Sequence, residues 1–143
     1  MTVLIPAYEP NEKLLELVAE LKAETDYKIL IVDDGSGELY SDIFRKAADS
    51  GCFVLSHAQN KGKGAALKTG FLYLLENCPR ENVVCADSDG QHTVADIIKV
   101  AGKIGDDVVW NHVHGLIAQP QPLCLHARRD HLITLARPDD VAE

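Results

Sequence analysis

The chain has 143 residues, 46% of them apolar, so it can bury one hydrophobic core and we expect one globular domain. Its net charge is −8 and no run of lysine or arginine exceeds two residues, which excludes the basic stripe of a nucleic-acid-binding surface. No apolar run approaches the ~20 residues that cross a bilayer, and the N-terminus lacks a signal-peptide pattern. We therefore predict a soluble, cytoplasmic protein with no transmembrane segment and no nucleic-acid partner.

The first hundred residues alternate short β-rich runs with helical patterns. We predict strands at 2–6, 28–33, 52–56 and 83–86, and helices at 11–24, 38–50, from "NKGKG" to about 78, and 94–104. Asn11 is placed to cap the first helix, and Leu39, Ile43 and Ala47 are expected on one buried face of the second.

Continuous apolar strands separated by helices predict an α/β fold, with a mostly parallel open sheet covered by helices on both faces. In such sheets, ligands bind at the carboxyl ends of the strands. Polar segments follow all four predicted strands, at 6–9, 33–36, 57–63 and 87–92. We therefore expect these four loops to meet at one edge of the sheet.

The composition and the hydrophobic pattern of the chain change after residue 104. Residues 105–143 hold four of the six histidines, and we treat them as a separate His- and Pro-rich tail. The segment 106–110 is a candidate fifth strand, and 119–143 is predicted to be irregular or loosely docked. A zinc site is disfavoured because no standard module has the spacing of these residues: His112, His114, Cys124, His126 and His131.

The four cysteines, Cys52, Cys78, Cys85 and Cys124, show no CxxC pairing and fall mostly in apolar segments. We interpret them as small buried hydrophobic residues in a reducing compartment, rather than as disulfides or zinc ligands.

The segment "VVCADSDGQH" places two carboxylates, Asp87 and Asp89, directly after a buried strand. Residues i and i+2 of an extended segment project to the same side, so both carboxylates and Gln91 can face one cation. Hard oxygen donors favour Mg²⁺ or Mn²⁺, whereas a calcium loop is disfavoured because Ile98 stands where it needs glutamate. The alternative is a capped turn, with Asp89 or Thr93 as the N-cap of the next helix.

Two further features suit a nucleotide. The glycines and lysines of "NKGKGAALKTG" can offer a helix N-terminus and positive charge to a phosphate, although neither the phosphate-loop nor the dinucleotide pattern is matched. An acid of "IVDDGSG" can bond a ribose or a base edge, and Tyr8 can stack on a base. The alternatives are a glycine-initiated helix with solvated lysines, an Asx-turn with Gly35 left-handed, and simple packing of Tyr8. In combination, the four loops favour a nucleoside diphosphate with a divalent cation.

The segments "VLIPAY", "ILIVDDGSG", "NKGKGAALKTGF" and "VVCADSDGQHTVADI" together resemble the nucleotide-sugar-binding half of family 2 glycosyltransferases. The chain looks most like the dolichyl-phosphate mannose synthase type, whose members load a sugar onto a polyprenyl phosphate. The resemblance covers about residues 1–104 and implies a GT-A, Rossmann-like fold in which the C-terminal half of the usual domain is missing.

The resemblance implies that Pro6, Tyr8 and Asp34 hold the nucleoside of a UDP- or GDP-sugar. This chain departs from the family's "PAYNE", because "PAYEP" puts Glu9 at the asparagine position and Pro10 at the glutamate position. Glu9 is therefore the candidate for the acidic nucleoside contact.

The resemblance further implies that Lys63 lies beside the base or the diphosphate. Asp87 is expected near the ribose and the metal, Asp89 as the principal Mg²⁺ or Mn²⁺ ligand of a DxD motif, and Gln91 as a further ligand. The implied reaction is metal-dependent transfer of the sugar with inversion. A polyprenyl phosphate is one acceptor that the resemblance implies, and with this acceptor a cytoplasmic protein would act at the inner face of the membrane.

Family members continue well beyond the DxD motif, whereas only 39 residues follow Ile104 here, and none of them resembles the family's second half. We assign no general base among the acids of the tail, which are Asp106, Asp107, Asp130, Asp139 and Asp140. Truncation or a shifted reading frame is our hypothesis for the tail, and a catalytically incomplete nucleotide-sugar-binding fragment is the alternative function. A sugar-phosphate nucleotidyltransferase is disfavoured because "IPAYEPNEK" lacks the expected Gly-rich, basic signature.

Overall fold

The structure is a computed structural model that describes residues 1–79, 81–103 and 133–135. The strands are β1 (Thr2–Ala7), β2 (Lys28–Asp33), β3 (Phe53–Ser56), β4 (Val83–Cys85) and β5 (Ile133–Leu135). The helices are α1 (Lys13–Glu24), α2 (Ser41–Asp49), α3 (Lys63–Asn77) and α4 (Val94–Ala101), and a 3₁₀ turn (Glu38–Tyr40) precedes α2. Within these residues, no helix is both long and apolar enough to cross a membrane.

The strands form one sheet in the order β3-β2-β1-β4-β5. The first four strands are parallel, with Thr2 of β1 level with Lys28 of β2 and Val83 of β4, while β5 pairs antiparallel with β4. β5 lies inside 119–143, so the prediction of irregular structure is wrong for these three residues. The segment is too short for a periodic pattern, and its pairing depends on the backbone of β4. The candidate strand at 106–110 lies outside the described residues.

Helices cover both faces of the sheet, as predicted. Val3 and Ile5 of β1 pack in the cluster that contains the buried side chains of α1, α2 and α4. Leu4, between them, packs in the opposite cluster with Ala66, Leu67 and Leu74 of α3. Successive strand residues point to opposite faces, so both layers rest on the same short strands. Each fully buried aliphatic side chain contributes about 1.5–3 kcal/mol relative to exposure.

The second helix differs from its prediction at its start. Leu39 was expected on the buried face, but it is 94% exposed, and Phe44 is buried instead. Leu39 belongs to the 3₁₀ turn, which has three residues per turn, so the 3.6-residue period does not carry it to the face of Ala47.

The first helix begins at Lys13 rather than at Asn11, and Glu12 occupies the N-cap position. The Asn11 side chain still accepts a hydrogen bond from the Lys13 backbone N–H at 3.0 Å, so it satisfies one donor at the start of the helix.

The described cysteines carry free thiols, and Cys52 and Cys85 are buried while Cys78 is half-buried. Cys124 lies outside the described residues. Burial, reinforced by the nearby carboxylate of Asp87, raises the pKa of the Cys85 thiol to about 12. Because the thiolate is the reactive form, we expect iodoacetamide at roughly pH 8 to label Cys78 and to spare Cys85 in the native protein. Peptide mapping by mass spectrometry checks this, and equal labelling of the two would contradict it.

Candidate functional site

The strand order reverses between β1 and β4, because the chain runs outward through β2 and β3 and then returns to the other side of β1. Parallel sheets bind ligands in the crevice at such a switch point. A pocket of about 320 Å³ opens there, within the range of small-molecule sites. It is lined by residues at the carboxyl ends of β1, β2 and β4 and at the start of α3: Pro6, Ala7, Tyr8, Asp34, Asn60, Gly62, Lys63, Ala66, Asp87, Ser88 and Asp89.

The end of β1 supplies one wall of the pocket. Pro6 and Tyr8 line it, and the Tyr8 side chain is 48% exposed, which leaves its ring available to a ligand. The chain then turns sharply at Glu9, whose φ of +48° lies in the left-handed region and whose N–H donates to the Ser36 hydroxyl at 2.9 Å. Glu9 does not line the pocket.

The two adjacent acids after β2 have different tasks. The Asp33 carboxylate accepts the Ser36 N–H at 2.9 Å and so stabilises a turn in which Gly35 has φ +76°, as expected. The bond spans three residues, whereas that of an Asx-turn spans two. Asp34 points into the pocket instead. The structural and the ligand-binding interpretations of "IVDDGSG" therefore apply to different residues.

Asp34 is 2% exposed and is held by several donors. Its Oδ1 lies 2.7 Å from Nδ1 of His57 and accepts the Lys61 N–H at 3.0 Å, while Nε2 of His57 lies 2.8 Å from the Thr69 hydroxyl. Burial raises the pKa of Asp34, but hydrogen bonds from Lys61 N–H, His57 and Gly62 N–H outweigh it and leave the pKa below its ordinary value. The carboxylate is therefore charged at neutral pH.

A lowered pKa makes the contribution of Asp34 to stability depend on pH. A carboxyl group of this kind stabilises the fold above its unfolded pKa, and the contribution is lost as the pH falls through the folded value. We expect Asp34→Asn to cost about 1–2 kcal/mol at neutral pH, and the difference to shrink below roughly pH 4. Urea denaturation of both proteins across this range measures it, and a difference that is as large in acid would contradict the assignment.

The N-terminus of α3 forms the basic side of the pocket. Gly62, at φ +90°, occupies the N-cap position, and its N–H donates to the Asn60 side chain at 2.9 Å. Lys63 follows as the first helical residue, and its Nζ lies 2.6 Å from Oδ1 of Asp87. A helix N-terminus with a lysine beside it is an environment that stabilises phosphate.

The acids after β4 face this basic side. Oδ1 of Asp89 accepts the Gln91 N–H at 3.0 Å, so Asp89 forms a local turn and also lines the pocket. Thr93 caps α4, because its hydroxyl accepts the Asp96 N–H at 3.2 Å and donates to the Asp96 carboxylate at 2.7 Å. Of the two residues that the capped-turn alternative offered, Thr93 is the N-cap of α4. Gln91 is exposed and does not line the pocket.

The donor set suits Mg²⁺ or Mn²⁺ in part. Among residues 1–79, 81–103 and 133–135, no group of three or more His, Cys, Asp or Glu side chains could hold a metal ion. Asp87 and Asp89 offer hard carboxylate oxygens beside open space, and Mg²⁺ commonly combines one or two carboxylates with substrate phosphates and water. The residues present fit a cation that is bound together with a phosphorylated ligand. The five candidate zinc ligands of the tail lie outside the described residues.

Sequence reasoning identified six of the pocket residues individually and missed others. Asn60, Gly62 and Ser88 fall within the predicted loops but were not singled out. His57 and Thr69, which hold Asp34, were also missed. The signal available was that His57 follows β3 in a loop at the same edge, but its contact with Thr69 depends on how α3 docks.

Comparisons with known proteins identify the family of this chain. The model of the family described as "Glycosyl transferase family 2" matches residues 2–115. "Uncharacterized protein MJ1222" of Methanocaldococcus jannaschii is 37% identical over 98 residues, covering 68% of this chain and 39% of the relative. An undecaprenyl-phosphate 4-deoxy-4-formamido-L-arabinose transferase of Pseudomonas fluorescens is 30% identical, covering 76% of this chain and 34% of the relative.

A UDP-N-acetylglucosamine–dolichyl-phosphate N-acetylglucosaminyltransferase of Methanococcus voltae is 30% identical, covering 73% of this chain and 47% of the relative. The solved mannosyltransferase PcManGT from Pyrobaculum calidifontis, in complex with GDP-Man and Mn²⁺, is 26% identical with a TM-score of 0.47, covering 62% of this chain and 27% of its own. This chain therefore spans less than half the length of these relatives. The family match, by contrast, covers well over half of this chain, which belongs to glycosyl transferase family 2.

Proposed function

We propose that the pocket at the switch between β1 and β4 binds a UDP- or GDP-sugar together with Mg²⁺ or Mn²⁺. The chain would thereby supply the donor site for transfer of the sugar, with inversion, to a polyprenyl phosphate. The observation that carries the proposal is that one pocket joins a tyrosine and a buried carboxylate on one side to a lysine, a helix N-terminus and two further carboxylates on the other.

The nucleoside is assigned to the β1 and β2 side of the pocket. The half-exposed ring of Tyr8 offers a flat apolar surface for a base, with Pro6 beside it. Asp34 is charged and fixed, so it can accept hydrogen bonds from base N–H or ribose O–H groups. Glu9 lies outside the pocket lining, so its assignment as the acidic nucleoside contact stays a prediction.

The diphosphate is assigned to the α3 and β4 side. Lys63 and the first turn of α3 supply positive charge to it, and Asp87 and Asp89 would hold the cation, with Gln91 kept as a predicted further ligand. When bound, the cation would offset the charge that develops on the leaving nucleoside diphosphate. Lys63 pairs with Asp87 here, so it is already oriented towards the carboxylates across the pocket.

The acceptor class is proposed from the relatives. The names of two of them combine a sugar transferase with undecaprenyl phosphate or dolichyl phosphate. A phosphate oxygen is already ionised near pH 7, so its direct attack on the anomeric carbon needs no strong general base. This agrees with a pocket in which we assign no carboxylate as base. A lipid-linked acceptor also places the working protein at a membrane surface, and the inner face is our proposal.

The alternative is a donor-binding fragment that is incomplete for catalysis. Its support is that the match covers 34% and 47% of the two transferases named above. Donor binding is common to both candidates, whereas transfer belongs to the first alone.

Calorimetry tests the proposal, with UDP-glucose and GDP-mannose titrated into the full chain in MnCl₂ and again in EDTA. We expect one nucleotide class to bind in Mn²⁺ and to bind at least about tenfold more weakly in EDTA. Binding of neither would contradict the proposal. Labelled sugar appearing on undecaprenyl phosphate in vesicles would then support the enzyme, and binding without such transfer would support the fragment.

A further inference from the structure

Three hydrogen-bonded side chains, two of them buried and the third half-buried, form a row that ends in the pocket. We propose that His57, supported from behind by Thr69, is a positioning residue that holds Asp34 for the nucleoside, so that nucleotide affinity depends on the N–H at Nδ1 of His57. This rests on the proposed function, because it assigns a task within the same site.

The three side chains come from separate elements, and two of them, those of His57 and Asp34, are buried. Asp34 follows β2, His57 follows β3, and Thr69 lies within α3. The side chains of His57 and Asp34 are 8% and 3% exposed, and the two contacts of the ring measure 2.7 Å and 2.8 Å. Hydrogen bonds that join three elements at this depth fix the orientation of the ring and of the carboxylate.

A hydroxyl, an imidazole and a carboxylate in a row are also the parts of a nucleophilic triad, but the order excludes that function here. In a triad the hydroxyl meets the substrate. In this chain Asp34 lines the pocket, whereas His57 and Thr69 do not. The network therefore presents the carboxylate to the ligand, with the hydroxyl at its far end.

The positions of the protons follow from the charge of Asp34. An ionised carboxylate only accepts hydrogen bonds, so Nδ1 of His57 must carry a proton. In the neutral ring, Nε2 is then the acceptor, and the Thr69 hydroxyl can donate to it at 2.8 Å. Thr69 thereby supports the ring from the side opposite Asp34.

The arrangement leaves one oxygen of Asp34 outside these contacts. The bonds from His57 and from the Lys61 N–H both end on Oδ1, and Oδ2 takes part in neither. Fixing Oδ1 from two directions sets the plane of the carboxylate. Oδ2, with the Gly62 N–H also near the carboxylate, is the oxygen left to meet a nucleoside donor group, and it does so without first losing rotational freedom, which is the advantage of a preorganised site.

Three variants of the full chain test the inference, with UDP-glucose and GDP-mannose as probes in MnCl₂. His57→Leu removes both hydrogen bonds at similar volume, and we expect the dissociation constant of the nucleotide that binds to rise about 10- to 100-fold. His57→Asn places an amide N–H near the position of Nδ1, and we expect it to restore affinity to within about threefold of the unmodified chain. Thr69→Val keeps shape without the hydroxyl, and we expect a rise of about 3- to 10-fold.

Melting temperatures of the variants separate positioning from structure. A purely structural role would make affinity follow stability, whereas positioning makes the asparagine variant recover affinity even where its stability stays low. If His57→Leu does not fold, Thr69→Val still decides, because only a positioning role predicts a loss of affinity for that variant. Affinity within twofold of the unmodified chain for every folded variant other than His57→Asn overturns the inference and leaves the proposed function standing. Absence of nucleotide binding by the unmodified chain overturns both.

Discussion

Replacing Gly35 by alanine is expected to lower the free energy of unfolding by about 2–5 kcal/mol, the sum of a conformational and a steric cost. Gly35 has φ +76°, which residues with a Cβ adopt only at a cost. A Cβ at this position would also lie 2.3 Å from the carbonyl carbon of Gln59 and 2.5 Å from the nitrogen of Asn60. These are backbone atoms, so the loop after β3 must move to make room. Urea denaturation measures the loss.

Gly37→Ala is the matched control, because Gly37 has φ +84° but a Cβ there would meet nothing within 4 Å. We expect it to cost only the conformational part, about 1–2 kcal/mol. Since Asn60 lines the pocket, Gly35→Ala should also weaken nucleotide binding more than the control does. Equal losses of stability in the two variants would show that the close approach of the two loops is absent.

Replacing Asp89 by asparagine is expected to remove at least about tenfold of the Mn²⁺-dependent nucleotide affinity while leaving the fold intact. An asparagine retains an oxygen that can accept the Gln91 N–H, so the turn after β4 is preserved. It loses the negative charge that a hard divalent cation requires. Calorimetry in MnCl₂ and in EDTA measures the effect as the ratio of the two dissociation constants.

Asp96→Asn is the control for this variant. Asp96 is a carboxylate of the same segment, bonded to the Thr93 hydroxyl and absent from the pocket lining. We expect it to leave the Mn²⁺-dependent ratio unchanged, with a small loss of stability from the weakened cap. A ratio for Asp89→Asn equal to that of the unmodified chain would remove Asp89 from the metal site.

The sheet could be predicted because its strands are continuous apolar runs. The site could be predicted because ligands bind at the carboxyl ends of such strands. This rule placed Tyr8, Asp34 and Asp87 at one edge although they are distant in the sequence. Local capping residues could also be recognised in the sequence, as the N-cap at Thr93 shows.

Features that depend on packing between elements could not be predicted. The contact between His57 and Thr69 requires α3 to lie close against β1, and a Cβ on Gly70 of α3 would come within 2.4 Å of the Leu4 side chain. The sequence of neither segment indicates how closely the two elements pack. Leu39 was misplaced for a similar reason, since a 3₁₀ turn replaced one turn of the expected helix.

The central claim is the position of the cation, and NMR of the isotope-labelled chain can locate it. Spectra are recorded with UDP or GDP, first in Mg²⁺ and then in paramagnetic Mn²⁺, which broadens the signals of nearby residues. We predict that the amide signals of Tyr8, Asp34 and Ser88 broaden in Mn²⁺, because these residues line the pocket. Signals of Lys28 and Asn82, at the opposite ends of the strands, should stay sharp. Sharp signals at Ser88, or broadening centred on Lys28 and Asn82, would contradict a metal-dependent nucleotide site at the switch between β1 and β4.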